Sequence, residues 1–180
     1  MRFFPRLLIF GYFVTILSSC EFHCSVGENS TEKNEANKPV MKDGAAVYNG
    51  IELHTNIISV KKAYLIYSNG ERVPEDNFVD FADPVKLILI INSGWEEQDG
   101  KVTLGASEKV KDEEGNIILD EKDLFSGVNE ITSEDAKIIG LTLTVRLKKE
   151  EPPTSFVTSF RVWDKNGEGY IEGSYKLYTK

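Results

Sequence analysis

The chain has 180 residues, and its 29 Asp and Glu residues outnumber its 21 Lys and Arg residues, which gives a formal net charge of −8. A field of this sign repels the phosphates of nucleic acids and of anionic lipid headgroups. The composition therefore argues against a nucleic-acid partner and against a protein that binds membranes through its folded surface.

The N-terminal segment has the parts of an export signal in their usual order. Arg2 and Arg6 precede an uncharged, mostly apolar run that begins at Leu7 and extends for about 11 residues, within the range of a signal h-region. A transmembrane helix needs roughly 20 such residues, so this run is too short to span a bilayer. The segment ends with Leu17-Ser18-Ser19-Cys20.

That tetrapeptide resembles the lipobox of bacterial lipoproteins, in which an aliphatic residue and two small residues precede a cysteine. The resemblance covers residues 1–20 and implies that the Cys20 thiol is diacylglycerated and that cleavage separates Ser19 from Cys20. Two or three acyl chains, palmitate among them, would then anchor the chain stably in a membrane. The next residue is Glu21; proteobacterial lipoproteins kept in the inner membrane usually carry Asp there, so the resemblance favours the outer membrane. The alternative is an ordinary secretory signal with a chance cysteine.

After this signal peptide, residues 1–19, the sequence predicts a tether and one domain. Cleavage would remove two bases and no acid, so the formal charge would fall to −10. Residues 20–44 are rich in Glu, Asn, Lys and Ser, a composition that predicts a flexible, disordered tether. Cys24 lies in this tether, where it is interpreted as an unpaired thiol or as a site of pairing with another chain. Residues 45–180 have the length of one domain with its own core.

Alternation of apolar and polar residues predicts a series of strands in this domain, at 48–54, 57–60, 62–68, 84–92, 101–104, 116–119, 141–148, 155–163 and 170–178. Residues 84–92 are apolar on both faces for most of their length, which predicts a central strand covered on both sides. Residues 141–148 alternate strictly, which predicts a half-buried strand with Leu141 and Leu143 on the buried face.

Turn signals separate the strands and helical pattern is scarce. Asn69-Gly70, Asp99-Gly100, Glu114-Gly115-Asn116 and Asn166-Gly167 supply residues that tolerate positive φ. Single helical turns are predicted at 120–125, with Asp120 as N-cap, and at 133–136. Together these features predict an all-β fold, an antiparallel β-sandwich that is immunoglobulin-like in the broad sense, with a small β-barrel as the alternative.

Catalytic constellations are nearly absent from the sequence. The histidines are His23, in the tether, and His54, on a predicted strand, so a Ser-His-acid triad would depend on His54 alone. The sequence contains no Gly-x-Ser-x-Gly, no phosphate-binding glycine loop and no zinc-ligand spacing. A pair of carboxylates of the glycosidase type is the other catalytic possibility. The sequence therefore predicts no catalytic residues.

One acidic segment resembles a calcium loop of the EF-hand type. Oxygen donors stand at positions one, three, five and nine of that pattern, occupied by Asp164, Asn166, Glu168 and Glu172. Gly169 occupies position six, where the pattern requires a sharp turn. Position twelve is Tyr175 instead of Glu, and the flanking segments are predicted strands. Calcium is thus the one cofactor for which the sequence offers a site, and the alternative is an acidic hairpin turn.

Aromatic residues outside the predicted core offer a second candidate site. Trp95 lies between Ser93-Gly94 and Glu96-Glu97, which predicts a loop position from which an indole can stack on a sugar or anchor a protein partner. The alternative is a tryptophan folded back onto its own domain. On the last predicted strand, Tyr170 and Tyr178 alternate with a core-facing set.

The sequence as a whole favours a membrane-anchored lipoprotein of the bacterial envelope, periplasmic or surface-facing at the outer membrane. Its membrane contact would be the lipid on Cys20, and its domain would act as a binding or envelope-assembly module for a protein or glycan partner. Two alternatives remain open: a lipid-anchored hydrolase that uses His54 or a carboxylate pair, and a purely structural envelope component.

Overall fold

The computed structural model describes residues 38–80, 83–128, 130–144 and 154–180, and there the chain is almost entirely extended. The strands are β1 (Val40–Lys42), β2 (Ala45–Val47), β3 (Glu52–Asn56), β4 (Ser59–Tyr67), β5 (Phe78–Val79), β6 (Val85–Ser93), β7 (Lys101–Val102), β8 (Leu104–Asp112), β9 (Ile117–Glu121), β10 (Ile131–Thr132), β11 (Ile138–Leu143), β12 (Ser155–Asp164) and β13 (Tyr170–Thr179). One turn of 3-10 helix, Asp135–Lys137, precedes β11.

These strands form two main sheets. Sheet A has the order β1-β2-β4-β6-β11, and sheet B has the order β3-β13-β12-β8-β9, with β5 also paired to β13. β7 and β10 form a separate two-stranded ladder. Neighbouring strands are antiparallel except in the β2–β4 and β5–β13 pairs, which are parallel. The described strands form no closed barrel, and the predicted β-sandwich is confirmed.

A single hydrophobic core lies between the two sheets. Sheet A contributes fully buried Leu65, Leu87 and Leu141, and sheet B contributes Phe156 and Leu177. Each of these residues belongs to the alternate set of its strand that points inwards, because successive side chains of a strand point to opposite faces. The alternation of apolar and polar residues in the sequence therefore determines which face of each sheet is buried and which is exposed.

β11 and β6 show how far the strand predictions hold. Leu141 and Leu143 are buried and Thr142 and Thr144 are exposed, which confirms the predicted faces. β11 begins at Ile138 and ends at Leu143, whereas residues 145–148 of the predicted strand lie outside the described residues. β6 lies between β4 and β11, as a central strand should.

The outer face of β6 differs from the prediction of burial on both sides. Ile88 is 7% exposed, but Ile90 is only half-buried. A sandwich encloses one face of each sheet, so the outer side of β6 is not covered by the opposite sheet.

Other predictions need correction. The helical turn expected at 120–125 is wrong, because Asp120 belongs to β9 and lies opposite Lys109 of β8. The strands expected at 57–60 and 62–68 are one strand, β4, with an irregular register between Val60 and Lys62. The turn expected at 133–136 corresponds to the 3-10 turn Asp135–Lys137.

Three of the predicted hairpin turns have the positive φ that their sequences allow. Gly70 has φ 87°, Asp99 and Gly100 have φ 52° and 77°, and Gly115 has φ 86°. Neither Asn166 nor Gly167 has a positive φ. Within the described ranges, no helix has the length and apolar character required to cross a bilayer.

Candidate functional site

The outer face of sheet B carries aromatic, charged and hydroxyl side chains in register. Strand pairing arranges them in rows that run across β8, β12, β13 and β3. The first row is Gly105, Trp163, Tyr170 and Asn56; the second is Ser107, Arg161, Glu172 and His54; the third is Lys109, Ser159, Ser174 and Glu52. Most residues in these rows are exposed or half-buried, so this face is open to a ligand.

Two aromatic rings form a platform in the first row. Trp163 of β12 lies directly opposite Tyr170 of β13, and both side chains are half-buried. A Cβ atom at Gly105 would overlap the indole of Trp163, so the ring lies close over the glycine backbone. The Arg161 guanidinium carbon is 4.4 Å from the centre of the Tyr170 ring, which fixes the tyrosine by a cation–π contact. We refer to Trp163 and Tyr170 as the aromatic platform.

The platform borders a depression of about 500 Å³, which is closed on one side by the turn between β12 and β13. A second depression of about 490 Å³ is lined by Glu52, His54, Ser159, Glu172 and Ser174. A third, of about 370 Å³, lies over β8 and β9 and shares Arg161 with the first and Ser159 with the second. The three depressions thus form one polar surface that begins at an aromatic pair.

Ion pairs hold the charged side chains of the second and third rows. Arg161 lies 3.7 Å from the carboxylate of Glu172, its cross-strand neighbour. Lys42 lies 2.7 Å from a carboxylate oxygen of Glu52. The hydrogen bond and the positive charge of Lys42 lower the pKa of Glu52. Because a general acid at neutral pH needs a raised pKa, Glu52 is suited to accept hydrogen bonds and not to donate a proton.

The acidic turn after β12 holds its shape through Asp164. This carboxylate is 4% exposed. Its Oδ2 accepts the backbone N–H of Glu96 at 2.6 Å, and its Oδ1 accepts the N–H groups of Asn166 and Gly167 at 2.9 and 3.1 Å. Among the described residues, no group of three or more His, Cys, Asp or Glu side chains is placed to hold a metal ion.

The other residues of the suggested calcium loop also make contacts, those of Asn166 and Glu168 through atoms other than their side-chain oxygens. The Asn166 amide donates to Thr103 Oγ1 at 3.3 Å, the backbone carbonyl of Glu168 accepts a hydrogen bond from Asn56, and Glu172 is paired with Arg161. These contacts shape the wall of the first depression. Calcium binding by Asp164, Asn166, Glu168 and Glu172 stays a prediction.

Trp95, singled out by the sequence, packs against its own domain. The indole is half-buried beside the core, and its N–H donates to the carbonyl oxygen of Ala136 at 3.1 Å. This geometry corresponds to the alternative in which the loop tryptophan folds back. A role for Trp95 in binding a partner stays a prediction. Cys20 and Cys24 lie outside the described residues.

Sequence reasoning found part of the platform and missed the rest. Tyr170 and Tyr178 were expected opposite the core-facing set of their strand, and both are half-buried on the outer face while Ile171, Tyr175 and Leu177 are buried. The sequence places Trp163 at the end of a predicted strand and indicates no role for it. The signal in the sequence is the alternation along the strand. Val157, Ser159, Arg161 and Trp163 alternate with the buried Phe156, Thr158, Phe160 and Val162, so Trp163 belongs to the outward set.

Comparison with known proteins gives little further information. No family model matches the chain, and no curated protein matches it. Among solved structures, the crystal structure of the C-terminal domain of wzt is similar at 8% sequence identity and a TM-score of 0.48, over 73% of this chain and 78% of that one. A likeness of this size says nothing about ligand or partner.

Proposed function

We propose that this protein is a lipid-anchored component of the bacterial envelope whose β-sandwich binds a glycan through the outer face of sheet B. The observation that carries the proposal is the aromatic platform of Trp163 and Tyr170 at one end of a polar surface. Aromatic faces stack on the apolar faces of sugar rings, and a few well-placed polar groups then fix the orientation of the ligand. Arg161, Glu172 and His54, in the next row, supply such groups.

The proposed anchor is the acylated thiol of Cys20, which the lipobox resemblance supports. It would keep the domain at the outer membrane, facing either the periplasm or the exterior, where polysaccharides are abundant. Among the described residues, Lys38 and Pro39 precede β1, and Val40 follows the proposed anchor by 20 residues in the sequence.

The aromatic platform is tested by polysaccharide binding. Polysaccharide purified from bacterial envelopes and intact peptidoglycan sacculi serve as probes, and binding is measured by co-sedimentation and titration calorimetry. Trp163→Ala should weaken binding at least tenfold, about 1.4 kcal/mol, because it removes a central aromatic contact. Trp163→Phe should retain most of the affinity.

The matched control is Tyr178→Ala, which removes another half-buried aromatic ring from the same face of sheet B. It should leave binding close to that of the unaltered protein. Unchanged affinity of Trp163→Ala, or equal loss in both variants, would refute the platform. If the same face captured a protein and bound no polysaccharide, the proposed glycan ligand would be wrong and the partner would be a protein.

A hydrolase is the second candidate because Glu52, His54 and Glu172 line one depression. The lowered pKa of Glu52 suits a carboxylate that acts as base or nucleophile, so the general acid would have to be another group. Release of new reducing ends from the bound polysaccharide, abolished by Glu172→Gln while binding is retained, would establish it.

A further inference from the structure

Sheet A differs sharply from the rest of this acidic protein in charge. Its five strands, with the sequences VMK, AAV, SVKKAYLIY, VKLILIINS and IIGLTL, contain no Asp or Glu and four lysines. The strands of sheet B contain seven acids, which are Glu52, Glu108, Asp112, Asp120, Glu121, Asp164 and Glu172. The strands of sheet A themselves thus carry no negative charge, while Glu71, Asp76 and Asp83 lie in the segments near Tyr67 at one end of the sheet.

Two cations lie over two tyrosines on the outer side of sheet A. The Arg72 guanidinium carbon is 4.3 Å from the ring centre of Tyr48 and 4.4 Å from that of Tyr64. The Lys62 ammonium nitrogen is 5.1 Å from each of the same two centres. Arg72 also lies 3.9 Å from Glu75 at the margin of this face. The rings and the cations hold one another in place.

The rest of this face is basic and apolar. The alkyl chain of Lys86 lies beside Gly140, where it would come within 3.2 Å of an added Cβ, and Ile88 flanks the same glycine. Met41 on β1 and Ile138 on β11 are 65% and 61% exposed, at the two edges of the sheet. We call the outer surface formed by Met41, Tyr48, Lys62, Tyr64, Arg72, Lys86, Ile88, Ile90 and Ile138 the basic face.

We propose that the basic face docks on the surface of an anionic lipid bilayer. Clustered cations are attracted to anionic headgroups within about one Debye length of the surface. Tyrosine, with an apolar ring and a polar hydroxyl, is favoured at the membrane–water interface. The exposed side chains at both edges, Met41 and Ile138, supply apolar area that the boundary between headgroups and acyl chains can take up.

The course of the chain favours a bilayer over a soluble acidic partner. β1, the first strand, is an edge strand of sheet A, so the chain enters the sandwich at the basic face. This inference rests on the proposed anchor at Cys20, 20 residues before Val40 in the sequence, which would tie that edge of the sheet to the bilayer. Docking would direct the aromatic platform of sheet B away from the membrane. The net charge of −8 keeps the contact weak, because the headgroups repel the acids that lie outside the basic face.

The test uses residues 20–180, the proposed mature chain, with Cys20→Ser, so that neither acyl chains nor the apolar signal segment with Arg2 and Arg6 contribute to binding. The probes are vesicles of phosphatidylcholine alone and vesicles of equal parts phosphatidylcholine and phosphatidylglycerol, and binding is measured by co-sedimentation at low ionic strength. Partitioning should be at least tenfold higher on the anionic vesicles and should fall as salt is added, because exposed charges are screened. Equal partitioning on both vesicles would overturn the proposal.

Two triple variants with the same change in net charge test which face of the protein binds the vesicles. In the same background, the triple change Lys62→Gln, Arg72→Gln, Lys86→Gln should remove most of the preference for anionic vesicles. The control triple change Lys111→Gln, Lys176→Gln, Lys180→Gln alters the net charge equally at exposed positions and should preserve it. Equal loss in both triples would refute the assignment to sheet A.

Two further measurements separate the remaining outcomes. Lys86→Glu, a single surface change, should lower partitioning even if the Arg72 substitution disturbs folding. Binding to soluble polyglutamate with no binding to either vesicle would indicate that the basic face binds an acidic soluble partner. That result would overturn the proposal of docking on a bilayer. Because the vesicles contain no polysaccharide and Trp163 is unaltered, these results are independent of glycan binding.

Discussion

Glu108 places a carboxyl group in the interior of the sandwich. It lies on the inward set of β8, opposite Phe160 of β12, and is 1% exposed. Within the described residues, neither of its carboxyl oxygens has a hydrogen-bond partner. Burial disfavours the ionised form and raises the pKa of Glu108 from 4.5 to about 7. Burial, and then the charge of Glu108, also raises the pKa of Tyr175.

The raised pKa predicts that the domain is most stable at mildly acid pH. Between pH 4.5 and about 7 the folded state holds a proton on Glu108 that the unfolded state releases, so stability is full below pH 4.5 and is lost as pH rises through about 7. The full shift corresponds to about 3 kcal/mol. Urea denaturation across this range should show the decline, and Glu108→Gln, which has no ionisable group, should flatten it.

The control is Glu121→Gln, a change at the exposed residue opposite Glu108 on β9. It should leave the pH dependence of the unfolding free energy as it is in the unaltered protein. A decline of the same size in Glu108→Gln would show that other groups are responsible.

At the scale of single elements, β11 gives the clearest test of strand register. Leu143 is 2% exposed and Thr144, its neighbour, is exposed. Truncation of Leu143 to Ala should cost about 2 to 5 kcal/mol through lost burial and a residual cavity. Thr144→Ala should change stability by roughly 0.5 kcal/mol or less, as exposed substitutions usually do. Both values come from urea denaturation of the full chain with Cys20→Ser, and equal losses would contradict the register.

The strands that the sequence predicts well are those whose apolar and polar side chains show clearly which face is buried. β6, β12 and β13 lie within one residue of their predicted ends, because apolar runs or strict alternation mark them. The sequence predicts only the first residue of β8, because its inward positions include Ala106, Glu108 and Asp112 and so show no regular apolar alternation. The rest could not be predicted, because strands of two or three residues such as β1 and β5 exist only through pairing with distant segments.

The same limit applied to the candidate site. Trp163 and Tyr170 are close in sequence, but Gly105 and Asn56, which complete their row, belong to strands far away in the chain. Row partners follow from sheet order and register, which one sequence does not specify. The alternation of side chains along the strand predicts that Trp163 lies on the outer face. Its position over Gly105 follows only from the pairing of β12 with β8.

For the whole molecule, the decisive prediction concerns the anchor. Cys20→Ser should abolish acylation and block lipoprotein-type processing, because the thiol is the acceptor of the diacylglyceryl group in the lipobox reading. Labelled palmitate incorporation and membrane fractionation measure the effect. A Cys20→Ser chain that still incorporates palmitate and remains in washed membranes would exclude the anchor; Cys24→Ser serves as the matched control and should be acylated normally.

The short strand at the start of the sandwich has a mechanical consequence. β1 pairs with β2 through three residue pairs, and Val40 lies at the open end of that hairpin, opposite Val47. If the domain holds a glycan while its N-terminal tether is fixed in a bilayer, tension enters at Val40 and separates the pairs one after another. Release of β1 would lengthen the tether by about 10 Å at 3.4 Å per residue. The long strands of both sheets would carry load only afterwards, so β1 would act as an extensible link between membrane and polysaccharide.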